Sequence, residues 1–438
     1  MREMNNLIIG FGKGGKTLAK KLASHQEEVI VIEADDKMYG GTCINVGCIP
    51  SKTLITQGLK QRDFTVASEK KRLLVDKLRH KNYHMLADEA TIEVIHGYAQ
   101  FKDNHTVQVQ LPNGDVEEIK AERIFINTGS KSVIPKIEGL SLGKRVGTSK
   151  EMMDLTDKPE RLVILGAGYI GLEFAFMFAN FGSQVTVLDN RELLGREDEA
   201  FVTLIQEQAE KIGIHFKLDA QVQKIDESAE NVTVTLADEV LTADYLLVAT
   251  GRKPNTEAIG LENTDIQVDA RGAIQTDEFL QTAVENVWAL GDVRGDLQFT
   301  YISLDDFRIV YNQLFQDKYR SVNNRPNVPY TMFIQPAFSH VGLHEKEAQA
   351  KKMKYRKFTY LNSNVPKANI LENPVGMWQI LVDEETDQVL GATIFGEESY
   401  EVINLITLAM NAHLPYQMLR DQIYTHPTMS EALNDVLK

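Results

Sequence analysis

Two stretches of this chain follow one pattern, and that pattern dictates most of what the chain can fold into. "LIIGFGKGGKTLAKKLASHQEEVIVIEAD" begins at Leu7 and "LVILGAGYIGLEFAFMFANFGSQVTVLDN" begins at Leu162. Each runs apolar strand, G-x-G-x-x-G, helix, second strand and terminal acid. The glycines are Gly10, Gly12 and Gly15 in the first stretch and Gly166, Gly168 and Gly171 in the second. From Gly10 to Glu33 is 23 residues, and from Gly166 to Asp189 is again 23. The first glycine allows a tight turn, the second lets backbone approach a pyrophosphate, and the third lets the helix pack closely with its N-terminus facing the phosphates. The acid accepts hydrogen bonds from an adenosine ribose. A lone G-x-G-x-x-G can be a bland glycine turn. Two complete units in register predict an α/β chain with two dinucleotide sites.

A second matched pair follows, "IFINTGS" (124–130) and "LLVATGR" (246–252), each an apolar strand ending in Thr-Gly at a sheet edge. From Gly10 to Gly129 is 119 residues, against 85 from Gly166 to Gly251. The first copy therefore carries an insertion, part of which is a polar, helix-like run over 51–90. A chain of 438 residues is expected to form two to four domains.

Charge narrows the partners. A net charge of -15 argues against nucleic acid, which requires clustered Lys and Arg, and against an anionic membrane surface. "MREMNN" leads straight into "LIIGFG" with no signal-peptide pattern. Residues 162–181 are about as apolar as a membrane span, but their glycines and Glu173 fit strand, turn and helix better. The chain is expected to be soluble and cytoplasmic. His340 and His344 would suit a metal on a helix, yet they straddle a strand end in "FSHVGLHEKEA" and read as a surface pair; no metal site is expected.

Only two cysteines occur, Cys43 and Cys48, inside "GGTCINVGCIPSK" (40–52). In an ideal helix residues five apart have Cα atoms ~8.7 Å apart, beyond the ~7 Å reach of a disulfide. A bridge needs a distorted turn, which Gly47 allows, and Pro50 suits the first turn of a following helix. A thiol at a helix N-terminus has its thiolate stabilised. A buried inert pair and half of a metal site are the other readings. No further cysteine exists to complete a zinc set, and an inert pair would not call for the surrounding glycines and proline.

"GGTCINVGCIPSK" resembles the redox-active disulfide segment of the flavoprotein disulfide reductases, the family of lipoamide dehydrogenase, glutathione reductase and mercuric reductase. "VWALGDV" (287–293) is similar to the family's second flavin motif, and "YTHPTMSEAL" (424–433) to its C-terminal signature. Within the family, "IIGFGKGGKTLA", "MYGGTCIN", "GDLQFTYISLDDFRIV" and "LRDQIYTHPTMSEALND" resemble the reactive-chlorine-resistance flavoproteins and the related hypothiocyanous acid reductases. The resemblance implies two Rossmann-like domains, an FAD-binding domain over 1–147 and 275–322 and an NAD(P)-binding domain over 148–274. A C-terminal α+β dimerisation domain over 325–438 completes it. FAD would be held by Gly10, Gly12, Gly15, Glu33, Gly41, Thr42, Lys52, Thr128, Gly129 and Asp292. NAD(P) would be held by Gly166, Gly168, Gly171, Asp189 and Gly251. Asp189 favours NADH because its carboxylate repels a 2′-phosphate, while Arg191 and Arg196 leave NADPH admissible.

The resemblance further implies that Cys43 and Cys48 form the redox disulfide, with Cys48 nearer the flavin and Cys43 attacking the substrate. Lys52 and Glu173 would be an ion pair beside the flavin. His426 and Glu431 would be an acid–base pair acting on the other subunit's disulfide in a homodimer. His426 before Pro427 is expected just outside a helix, with Glu431 about a turn inside it. The expected substrate is hypothiocyanous acid. The alternatives are Cu(II) or Hg(II) reduction and lipoamide- or glutathione-type disulfide reduction. The ending "NDVLK", without the further cysteine pair of mercuric reductases, weighs against mercury. A redox-sensing flavoprotein is the reading from a different class. Three departures from the larger family stand out: Lys13 and Lys16 in the first glycine loop, "INTGS" in place of "ATGS", and no dedicated site for glutathione or a lipoyl arm.

Overall fold

The computed structural model describes residues 1–438. Apolar runs such as Leu7–Ile9 and Ile30–Ile32 are buried on both faces, as strands of a parallel sheet covered by helices must be. Strands Ile92–His96, Val29–Glu33, Arg2–Ile9 and Val116–Ile126 lie parallel in that order. The long strand Val116–Ile126 has two jobs. Its first half pairs with an antiparallel meander, Tyr98–Phe101 and Thr106–Gln110, and its second half takes Val287–Ala289 in parallel. The chain thus returns to its first sheet after building a second one.

The second sheet repeats the plan. Ile214–Lys217, Gln184–Leu188, Arg161–Leu165, Tyr245–Val248 and Val146–Gly147 run parallel, with a meander of three strands over 224–243. Both Thr-Gly motifs lie at the carboxyl ends of strands interior to their sheets, and Arg252–Pro254 pairs with Ser130–Ser132 to tie the two motifs together. The third sheet is antiparallel: Tyr330–Met332, Phe338–Gly342, Val389–Phe395, Met377–Asp383 and Tyr355–Leu361, packed against helix Ser399–Asn411.

The insertion in the first copy forms two helices, Cys48–Leu59 and Phe64–Ala87. Their buried side chains Leu54, Ile55, Phe64 and Ala67 share one core with Leu172, Phe174 and Phe178 of helix Tyr169–Asn180 and with Met332 and Phe338 of the third sheet. Phe64 meets Phe181 edge-on at 5.0 Å between ring centroids. At Gly58 helix Cys48–Leu59 passes close to helix Tyr169–Asn180, where a Cβ would be in ordinary contact with Asn180 and Phe181 at 3.4 Å. Burying a ring such as Phe64 contributes roughly 2–3 kcal/mol, enough to hold the inserted helix in register with its neighbour. That register sets Lys52 opposite Glu173.

Candidate active site

The two glycine turns are near copies in three dimensions. Gly10 (φ +102°) and Gly166 (φ +118°) adopt a backbone reserved for glycine, and a Cβ on either would lie 2.4 Å from a carbonyl of the neighbouring strand, that of Asn127 or Ala249. Gly15 and Gly171 press on the turn itself, with a Cβ 2.8 Å from the Gly10 carbonyl and 2.0 Å from the Gly166 carbonyl. The acids close each turn identically. Glu33 accepts from the Phe11 N–H at 2.9 Å, and Asp189 from the Ala167 N–H at 2.8 Å. Burial pushes the Glu33 carboxyl up, opposed by its backbone donors. Asp189 also takes the Arg191 N–H at 3.0 Å, and the Arg191 side chain lies 3.9 Å away.

One departure now has a physical reason. Asn127 accepts from the Gly15 N–H at 2.9 Å and donates to the Leu290 carbonyl at 2.7 Å, tying the first helix to the strand ends. In the second copy the same place is Ala249. A Cβ on Gly12 would strike the Asn127 side chain, whereas one on Gly168 would meet nothing within 4 Å. Gly129 and Gly251 are likewise open, at φ +74° and +114°. These open backbones border a continuous cleft of about 3080 Å³, which Gly12, Gly41, Thr42, Asp189 and Asp292 also line. A dinucleotide pressed against bare backbone is what such cradles fit. Thr128 is committed elsewhere, donating to the Asn255 carbonyl at 2.8 Å.

The cysteines sit on a broken helix. Thr42–Asn45 forms one turn, and Gly47 caps a new helix that starts at Cys48. Gly47 has φ −119° and ψ −116°, and a Cβ there would press on the Thr42 carbonyl at 3.0 Å. Asn45 pins the turn through the Tyr39 and Gly41 carbonyls. Both cysteines are thiols that line the cleft. A hydrogen bond from Cys43 brings Cys48 down to about 6 against the cost of burial, helped by the Thr300 hydroxyl at 3.6 Å and the Lys52 ammonium. The same hydrogen bond pushes Cys43 up, so the pair carries one negative charge.

Lys52 and Glu173 meet at 2.5 Å, with the other Glu173 oxygen on the Phe333 N–H at 2.8 Å and the Lys52 ammonium over the Phe333 ring. Asp292 accepts from the Ser130 hydroxyl at 2.7 Å, and burial raises its carboxyl. Its loop is held from beneath by Asp306, which takes the Gly291 N–H at 2.7 Å and pairs with Arg325. Sequence reasoning singled out neither Asp306 nor Thr300; the signal available was their place in the "FTYISLDDFRI" segment.

His426 and Glu431 pair at 2.8 Å, with His426 71% exposed, but they do not border this chain's cleft. The expected helix start at Pro427 is incorrect. The His426–Pro427 peptide is cis and lies in a loop, and helical structure begins only at Ser430. Glu431 is placed by Thr428 instead: the Glu431 N–H bonds the Thr428 hydroxyl at 3.3 Å and the Thr428 N–H returns to Glu431 at 3.2 Å. The surface reading of His340 and His344 is also corrected. Both are buried, their rings stacked at 3.7 Å. His340 bonds Thr393 and the Gly342 carbonyl, while His344 bonds Tyr330, whose hydroxyl donates to buried Glu197.

A cleft walled by two dinucleotide turns, with a thiol pair in its lining, is built to pass electrons between nucleotides and sulfur; the class is a dinucleotide-dependent thiol oxidoreductase. The chain belongs to the pyridine nucleotide-disulphide oxidoreductase family, whose pattern matches residues 4–310, and residues 328–437 match that family's dimerisation domain. The family uses FAD and NAD(P)H. The chain is 45% identical to the probable pyridine nucleotide-disulfide oxidoreductase RclA of Escherichia coli, covering 100% of this chain and 99% of that one. It is 31% identical to a mercuric reductase of Staphylococcus aureus, over 98% of this chain and 80% of the other. Among solved structures it is similar to the Cu(II) complex of the HOCl-induced flavoprotein disulfide reductase RclA from Escherichia coli, with TM-score 0.97, 44% identity and coverage of 100% and 99%. No helix is long and apolar enough to cross a membrane.

Proposed function

We propose that the chain reduces hypothiocyanous acid to thiocyanate with electrons from NADH, accepting NADPH less well, as part of a defence against thiol oxidants. The observation that carries this reading is the thiol pair, Cys43 and Cys48, lining an open cleft walled by two dinucleotide turns. A small electrophilic sulfur species needs a reactive thiolate and a proton donor more than a shaped pocket. When bound, the two dinucleotides supply a hydride and its relay to the disulfide. Gly10, Gly12, Gly15, Glu33, Gly41, Thr42, Lys52, Gly129 and Asp292 would hold FAD; Gly166, Gly168, Gly171, Asp189 and Gly251 would hold the nicotinamide nucleotide.

Cys43 passes its proton to Cys48, so that the pair's one negative charge sits on the Cys43 sulfur, which attacks the sulfur of hypothiocyanous acid; the hydroxyl leaves with a proton from the donor as water. Cys48 then gives up its proton to that donor, attacks the Cys43 sulfur, expels thiocyanate and closes the disulfide. Each turnover consumes one hydride and one hypothiocyanous acid and yields thiocyanate and water. In a homodimer, His426 of the second copy is the proton donor, oriented by its own Glu431. Asp189 disfavours a 2′-phosphate, while Arg191 beside it softens that preference.

Reduction of Cu(II) is the second reading, supported by the similarity to a structure described as a Cu(II) complex. NADH oxidation by the flavin-loaded protein with hypothiocyanous acid, Cu(II), Hg(II), oxidised glutathione and lipoamide separates the two. Fast turnover with hypothiocyanous acid, lost by at least about 10³-fold in Cys43→Ser, is expected. Copper turnover that survives Cys43→Ser would favour the second reading, and slow reaction with every acceptor would reject both.

A further inference from the structure

Lys16 is a cation in a costly place. It follows Gly15 in the first turn of helix Lys13–Ser24 and is only 5% exposed. Its ammonium donates to the Gly40 carbonyl at 3.3 Å and to the side-chain oxygen of Asn82 on helix Phe64–Ala87. Both acceptors are neutral, although buried lysines are seldom found without an anion. Burial, and then the charge of Lys13, push Lys16 down to about 8, and Cys43 pulls the other way.

Two anions could complete the site: the phosphates of a dinucleotide, or the thiolate of Cys43, three residues beyond Gly40. Phosphates held at Gly12, on the cleft side of the first turn, would lie away from Lys16. The Gly14 and Gly15 N–H groups are already bound, to the Ser303 hydroxyl at 3.0 Å and to Asn127 at 2.9 Å. Lys13 borders the cleft and Lys16 does not. Lys16 points instead into the Gly40–Gly41 turn that carries Cys43, and Asn82 clamps it there.

We propose that Lys16 is a positioning residue for the outer thiol: its buried ammonium is the fixed counter-charge of the Cys43 thiolate during attack on the oxidant. This rests on the reading of Cys43 as the attacking sulfur. It also gives the thiol a cation from its own chain, independent of the His426 that a second copy would bring. The charged and titratable groups around the site are Lys13 on the same helix, Cys43 and Cys48 in the turn, Lys52 on the following helix, Glu173 on helix Tyr169–Asn180 and Tyr301 on helix Thr300–Phe315. On helix Phe64–Ala87, Arg79 is held by Asn45 at 2.8 Å.

The test uses no oxidant. The flavin-loaded, NADH-reduced protein is treated with iodoacetamide from about pH 5 to about pH 9, and carbamidomethyl-Cys43 is followed by peptide mass. In Lys16→Met the midpoint of Cys43 alkylation is expected to rise by about one pH unit. Below the midpoint the rate should fall about threefold, because the loss of thiolate outweighs its gain in nucleophilicity. Lys16→Arg should keep the wild-type midpoint. Asn82→Asp keeps the lysine but neutralises its field, and should move the midpoint in the same direction as Lys16→Met even if that variant folds poorly. Unchanged alkylation in both Lys16→Met and Asn82→Asp would overturn the proposal, as would loss of bound flavin from folded Lys16→Met, which would assign the cation to the phosphates. Absence of hypothiocyanous acid turnover in wild type, with the alkylation shifts intact, would reject the substrate and leave the lysine's role standing.

Discussion

At the scale of single residues, the chemistry rests on one proton shared between two sulfurs. A thiol held near 6 is ionised above that pH and protonated below it, so the reactive monoanion of the pair is lost on acidification. The kcat/KM for the acceptor is expected to be flat at neutral pH and to fall about tenfold per unit below about pH 6. A plateau reaching well below that would locate the charge elsewhere. Lys52→Met removes an ammonium that favours the Cys48 thiolate, so the fall should begin at higher pH. The substitution leaves the buried Glu173 carboxylate with the Phe333 N–H but no cation, and such a change costs about 1–3 kcal/mol of stability, readable as a lowered Tm.

At the scale of elements, the two glycine units were legible because a glycine's role in a turn is local backbone geometry. Their outer glycines can be tested separately from the middle one. In Gly171→Ala the new methyl would sit 2.0 Å from the Gly166 carbonyl, and overpacking of this kind costs about 1–3 kcal/mol. Gly168→Ala meets no atom within 4 Å, so its Tm should match wild type while the KM for NADH rises about tenfold. Equal destabilisation by both would show that the middle glycine is structural. What sequence could not show is contact across long separations. Asn127 and Ser303 bind helix N–H groups 112 and 289 residues away. Asp306 supports a loop whose importance the motif disclosed but whose support it did not. His340 and His344 misled because a place at a strand end does not say what later covers it: His340 lies in strand Phe338–Gly342 and His344 caps helix Glu345–Ala350, and both are buried. Pro427 misled because a proline before a helix can equally belong to a loop, and Thr428 and Glu431 set the turn instead.

At the scale of the whole molecule, the chain divides its site. The cleft, the thiols and the Lys52–Glu173 pair belong together, whereas His426 stands exposed and outside the cleft. With a dimerisation domain over 328–437, the division predicts that inactive Cys43→Ser and His426→Ala chains complement each other. Random pairing of equal amounts would give hybrid dimers with one intact site each, restoring about a quarter of wild-type sites. No recovery would place the proton donor within one chain. Attack by the Cys43 sulfur is read most directly from the mass of Cys48→Ser protein, prereduced and acid-quenched after one equivalent of hypothiocyanous acid. A single thiocyanate-sulfur adduct mapped to Cys43 is expected. An unmodified Cys43, or an adduct elsewhere in the chain, would contradict attack at Cys43.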